Sequence, residues 1–323
     1  MSLAKRLSRL VKSKTTLSYG LEISDRAIRL AGVPKHGSKA IPRALHEIPL
    51  SFTPDSLQAV NASAEIKNAL KNMVQQFGIQ QVHVGIPERH FFFRCIQVPA
   101  LSGPRQQEEL HALIDDYLVT KVVLPRRDVV CEYDIIAESG GRWYVAIAVV
   151  PKQVVRRYQS LLKLVGITAV SIEANVHAMR LSCIEDLAHQ MSLSVRVEDG
   201  TAHAAVMNGQ AVFFDRDFIL PNDSESAQKF VLSEVVKMYR DWLRQPYRHK
   251  LEREPIGKIT LFGGNPDLEL LQESLASELH LPVRIASPLH SEIQEHDLDH
   301  LPPVHAKKLN RFSSAIGLAL SGR

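Results

Sequence analysis

The chain has little cysteine, few aromatic residues and no long hydrophobic run, and each shortage removes a class of function. Cys95, Cys131 and Cys183 are the only cysteines among 323 residues, they lie far apart, and no Cys-x-x-Cys occurs. Three lone thiols fit a reducing cytoplasm rather than a disulfide framework. Aromatic residues make up 6% of the chain and do not interleave with basic ones, so a stacking platform for nucleic-acid bases is not indicated. No stretch approaches the roughly 18 apolar residues that a membrane span needs. The apolar run Tyr144–Val150 has strand length and stops at Pro151. No Walker A loop, Gly-x-Gly-x-x-Gly, Gly-x-Ser-x-Gly or His-Glu-x-x-His is present, which leaves no motif for those nucleotide, acyl-transfer and zinc chemistries.

What is present is ordinary for a globular protein: 45% hydrophobic and 23% charged residues, in a length that suits two domains or one split architecture. A net charge of +4 is too small to imply nucleic acid. The first sixteen residues stand apart as a basic amphipathic segment. Leu3, Leu7, Leu10 and Val11 fall on one helical face, with Lys5, Arg6, Arg9 and Lys12 around it. This pattern suits a short helix on an anionic membrane surface, or a solvated terminus.

Two hairpins organise the remainder. In the first, strands 17–23 and 27–33 flank a turn at Ser24-Asp25, and a third strand follows over 41–49. A helix over 64–77, capped by Gly78, leads to a strand at 81–87. Residues 91–166 read as a β-α-β-β-α unit, a small subdomain set into the first lobe. The second half opens with a short strand at 170–173 and a helix carrying Val176, Met179, Leu181, Ile184 and Leu187. The second hairpin pairs 193–199 with 201–207 and continues into 211–218. A helix over 224–244, a strand ending at Gly263-Gly264, a helix over 267–279, a strand at 283–285 and a small-residue helix over 312–320 complete the chain. His290, His296, His300 and His305 fall in a loop-like segment without an apolar face, and read as solvated rather than as metal ligands.

The order of these pieces resembles the actin-like ATPase superfamily, and within it the PilM and MshI proteins of pilus assembly. The stretches that carry the resemblance are Gly20–Ser24, Phe93–Pro99, Tyr144–Ala148, Val197–Gly200, Leu261–Gly264 and Ala315–Leu320. The resemblance implies an α/β, ribonuclease H-like fold in duplicate. A first subdomain over 17–90 would be completed by part of 167–190 and the C-terminal helix. The insertion would span 91–166, and a shortened second lobe 191–323. It also implies a cytoplasmic scaffold peripheral to the inner membrane. Its partner would be the cytoplasmic N-terminal peptide of a PilN-like membrane protein, laid between the first subdomain and the inserted one, with pilus motor ATPases as further partners.

In nucleotide-binding members both hairpins carry Asp-x-Gly, where Asp holds hydrated Mg²⁺ and Gly lets backbone N–H groups approach phosphate. The corresponding residues here are Glu22, Ser24, Glu198 and Gly200, with Gly263 and Gly264 beside the helix that would face the nucleotide. Glu replaces Asp twice, Ser replaces Gly once, and Asp25 adds a negative charge at the first turn. The expectation is therefore a fold whose ATP and Mg²⁺ site is eroded, with no catalytic residue. The alternative is an active ATP-binding protein of the FtsA and PilM type.

Overall fold

The period-two runs become strands that pair into three sheets in a computed structural model of the chain, which describes every residue except 1–15, 25, 37–40, 51–63, 123–124, 184–190, 210, 245–254, 265–266, 289–308 and 323. The first sheet contains β1 (Leu17–Ile23), β2 (Ala27–Pro34), β3 (Ala44–Pro49), β4 (Gln81–Ile86) and β8 (Thr168–Ala174), in the order β3-β2-β1-β4-β8. β1 to β3 form an antiparallel meander, and β4 and β8 add in parallel on the other side of β1. Parallel addition needs crossovers, which α1 (Ala64–Phe77) and a long excursion over residues 92–163 supply.

The second sheet repeats this plan. It contains β9 (Met191–Glu198), β10 (Thr201–Asn208), β11 (Ala211–Ile219), β12 (Lys258–Gly263) and β13 (Val283–Ile285), in the order β11-β10-β9-β12-β13. Again three strands are antiparallel and two parallel. Here the crossovers are α5 (Ser224–Arg244) and α6 (Leu268–Leu279). The excursion from the first lobe forms a third, antiparallel sheet of β5 (Phe92–Pro99), β7 (Arg142–Pro151) and β6 (Val129–Ser139), with α2 (Gln106–Tyr117) against it. α3 (Lys152–Lys163) returns the chain to β8, and α4 (Asn175–Ser182) follows at once.

Alternation decides which side chains meet. Leu21, Ile23, Ile28 and Leu30 of the first hairpin pack with Leu70 and Met73 of α1 and with Leu161 and Leu162 of α3. Val195, Val197, Ala204 and Val206 of the second pack with Val231 and Val235 of α5 and Leu271 of α6. Each such large aliphatic group contributes roughly 1.5–3 kcal/mol when fully buried. The last helix, α7 (Ser313–Ser321), is buried over Ser313–Ala319 and lies between β1, β4 and α4. It approaches so closely because Gly20 faces the Ala315 carbonyl and Gly317 faces that of Ala178; a Cβ at either position would collide with backbone.

Several boundaries differ from the sequence reading; β8, for one, begins at Thr168 rather than at 170. β3 begins at Ala44 rather than near 41, after Pro42. α4 ends at Ser182, so Leu181 lies in it while Ile184 and Leu187 lie outside the described residues.

Candidate functional site

The two hairpin turns come together between the lobes, and each is closed by its own chemistry. In the first, the Ser24 N–H and Oγ both donate to the Ala27 carbonyl, at 3.0 and 2.9 Å, and Oγ accepts from the Ala27 N–H at 3.1 Å. The Ser24 hydroxyl is thus committed to the turn. In the second, Gly200 takes a φ of 82°, which a side chain at that position would strain. The space beside Gly200 is filled by Arg26, which reaches across from the first hairpin to donate from Nε to the Asp199 carbonyl at 3.0 Å. Gly263 lies against the Val197 carbonyl, and the side chain of Arg311 covers Gly264. Arg311 is itself paired with Glu47 at 3.2 Å.

Behind the turns, Glu22 and Glu198 do not face an open cradle. They form a buried lattice with Arg29 and Arg196. Glu22 and Arg29 are direct partners in the β1–β2 register, so their side chains emerge side by side. Arg29 Nη1 donates to Glu22 Oε1 at 3.2 Å and to Glu198 Oε1 at 3.1 Å, and its Nη2 donates to Glu198 Oε2 at 2.8 Å. Arg196 donates through Nη2 to Glu22 Oε1 and through Nε to Glu198 Oε1 at 3.3 Å. The four residues are 0%, 1%, 6% and 7% exposed for Glu22, Arg29, Arg196 and Glu198, so water screens them little.

Burial works against every charge in this lattice, and the partners answer it unequally. The Glu22 carboxyl is pushed up by burial further than Arg196 and Arg29 pull it down. For Glu198 burial also pushes up, but Arg29 and Arg196 outweigh it and hold the carboxyl below the ordinary range. Burial opposes the positive charge of both arginines, and the carboxylates more than restore it. A magnesium ion with a nucleotide would need free carboxylate oxygens and uncovered turn N–H groups. As arranged, both carboxylates accept from guanidinium, Glu22 Oε2 alone lacks a hydrogen-bond partner, and Arg26 and Arg311 lie against Gly200 and Gly264.

Beside the lattice lies a cleft of about 370 Å³. Its walls include Ser24, Glu88, Asn175, His203 and Asp217. Asn175 is fully buried at the first turn of α4, and neither its Nδ2 nor its Oδ1 has a hydrogen-bond partner among the described residues. Burial raises Asp217 to about 6, with Glu88 and Asp215 adding to the effect and His203 opposing it. The sequence reading took Ser24 as a site residue but not Glu88, Asn175, His203 or Asp217, of which only His203 and Asp217 are neighbours within one hairpin.

A second concavity, of about 260 Å³, lies where the inserted sheet meets the first lobe and the start of β11. One wall is a single face of the inserted sheet. Phe93, Ala148 and Glu132 stand in one row across its three strands, and Ala146 and Asp134 continue that face two residues on. The two alanines leave the trough between larger neighbours. The other wall is Ile172 and Glu173 of β8, His177 of α4, and Ala211 and Val212 of β11. Phe91 and Phe93 stack with ring centroids 5.5 Å apart, and Phe93 meets His177 edge-on at 5.3 Å. Burial lowers His177 to about 4, so it is neutral near pH 7. The lining carries Glu132, Asp134 and Glu173 and, among the described residues, no lysine or arginine.

Lys5, Arg6, Arg9, Lys12, Asp25 and the four loop histidines lie outside the described residues. Among the described residues no helix is long and apolar enough to cross a membrane, and no cluster of metal-ligating side chains occurs.

No family model and no curated protein matches the chain. Solved structures do. The PilM–PilN type IV pilus biogenesis complex contains a chain of 17% identity that superposes with a TM-score of 0.69, over 95% of this chain and 99% of that one. The cytoplasmic domain of EpsL, an inner-membrane component of the type II secretion system of Vibrio cholerae, gives 10% identity and a TM-score of 0.48 over 81% and 95% of the two chains. A Bacteroides thetaiotaomicron protein with an actin-like ATPase fold gives 12% and 0.45 over 89% and 95%. The strand order 3-2-1-4-5 occurring twice, together with the full-length superposition on the pilus protein, establishes the duplicated actin-like fold.

Proposed function

We propose that this chain is a cytoplasmic scaffold of a pilus machine of the type IV or MSHA kind, peripheral to the inner membrane. It binds the cytoplasmic tail of a PilN-like membrane protein and works without nucleotide. The observation that carries the reading is the groove between the inserted sheet and the first lobe. An open trough floored by alanine and walled by aromatic and acidic side chains suits an extended peptide, whose main chain and alternate side chains would be read there. The similar PilM–PilN complex supports the choice of partner. Lys5, Arg6, Arg9 and Lys12 would add attraction to anionic lipid, each worth about 1 kcal/mol near a charged surface.

The Glu–Arg lattice supports the nucleotide-free half of the reading. Its two guanidinium groups supply the positive charge that a metal ion supplies between facing carboxylates elsewhere. Calorimetry with a synthetic PilN-like tail tests the first half, and absence of binding would sink it. Thermal melting with Mg-ATP tests the second. A nucleotide at 100 times its dissociation constant would add about 2.7 kcal/mol, and the expected result is no shift. A clear upward shift would restore the active ATP-binding alternative.

A further inference from the structure

The groove that receives the tail on the reading above also carries information about which tail it takes. Glu132 and Asp134 are exposed on the inserted sheet, two residues apart on one strand face, and Glu173 stands opposite on β8. Glu173 is held in place by the Ser171 hydroxyl, which donates to its Oε1 at 2.8 Å. Among the described residues that line the groove, none is a lysine or arginine that would offset these carboxylates. Between them the surface is apolar: Phe91, Phe93, Val150, Ile172 and Val212. Three like charges converging on a trough cost free energy when it is empty, through mutual repulsion that falls as a partner cation arrives. An acidic tail would be rejected by the same field.

We infer that the groove selects a basic, amphipathic segment: an extended partner peptide with apolar side chains seated on the Phe91–Phe93 stack and lysine or arginine directed to Glu132, Asp134 and Glu173. Orientation follows from the two walls. The apolar anchors sit at the aromatic end, and the cationic residues sit where β6 and β8 oppose each other. Arginine suits this end better than lysine, because its planar fork can bridge two carboxylates.

The test is fluorescence anisotropy with the full chain and a synthetic PilN-like tail peptide, beside the same peptide with every lysine and arginine replaced by glutamine. The expected result is that glutamine replacement weakens binding at least about tenfold at low salt, and that raising salt from about 50 to 300 mM weakens only the parent peptide. The double variant Glu132→Gln/Asp134→Gln should show the same loss with either salt, and its circular dichroism reports folding separately. Equal affinity for the two peptides, or a salt-independent parent, would overturn the charge selection while leaving tail binding in place. Failure of both peptides to bind would remove the scaffold reading itself. Tighter binding after deletion of residues 1–14 would instead assign the groove to the chain's own basic segment.

Discussion

Replacing Arg29 by methionine isolates what the buried lattice contributes. The substitution keeps most of the side chain's length and apolar packing and removes a guanidinium that is 1% exposed and within 3.2 Å of two carboxylates. Glu22 and Glu198 then share Arg196 alone, which leaves one buried negative charge in excess. Breaking a buried pair in this way costs about 3–5 kcal/mol, because the abandoned charge stays out of water. At about 2–4 °C per kcal/mol for a domain of this size, the melting temperature should fall by about 6–20 °C. The double variant Arg29→Met/Glu198→Met removes one charge of each sign and leaves Glu22 with Arg196, so it should lose less than the single variant. The pH dependence gives an independent check. Without Arg29 the Glu22 carboxyl, already pushed up by burial, rises further. A raised carboxyl means that the folded state binds a proton before the unfolded one, so the variant should recover stability relative to wild type as pH falls. Urea unfolding followed by the fluorescence of Trp143 and Trp242 at pH 8 and pH 5.5 measures all three quantities. A loss below about 1 kcal/mol at pH 8, or a double variant no better than the single, would refute the account of the lattice as mutually dependent charges.

Three further outcomes follow from separate parts of the fold. His177 is lowered to about 4 by burial, so the unfolded state takes up its proton first as pH drops below the ordinary histidine range; stability should decline by up to about 1.4 kcal/mol per pH unit between about 6.5 and 4, and His177→Leu should flatten that slope in urea titrations. Gly317→Val places a side chain into the Ala178 carbonyl and should destabilise by about 1–3 kcal/mol or more, read by thermal melting, whereas an unchanged melting temperature would contradict the close seating of α7. Arg26→Ala removes an exposed bond between the turns and should cost about 1 kcal/mol or less, and melting with Mg-ATP should still show no shift because the buried lattice remains.

The hairpins, α1, α5 and β13 were legible in the sequence because their signals are local. Alternation, the Ser24 turn, Gly200 and the Gly78 cap each act within a few residues. The helix over 64–77 runs from Ala64 to Phe77 as its spacing predicts, and Ser224–Arg244 does the same, capped where the Asp223 carboxylate accepts the Ser226 N–H at 2.8 Å. Arg29 and Arg196 were not legible. An arginine inside a strand reads as a side chain turned to water, and only the apposition of two hairpins 169 residues apart turns both inward. Half of the signal is nonetheless present once the strands are aligned. Glu22 faces Arg29 across the first hairpin, and Arg196 and Glu198 share one face of β9. In the polar wall of the cleft only His203 and Asp217 leave such a trace, as direct partners across β10 and β11, whereas Glu88 and Asn175 come from separate parts of the chain.

Each hairpin supplies one acid and one base, and the duplication pairs them crosswise. Arg29 of the first lobe reaches Glu198 of the second, and Arg196 of the second reaches Glu22 of the first. Two hairpins that faced each other with acids alone would repel, and would need a bound cation to stay together. Here the counter-charges are covalently part of the chain and arrive with the fold. On the proposed reading the two hairpins and the groove serve separate tasks. The cleft between the lobes holds the frame closed. Recognition moves to the open groove beside the inserted sheet, where Glu132, Asp134 and Glu173 meet no lysine or arginine among the described lining residues.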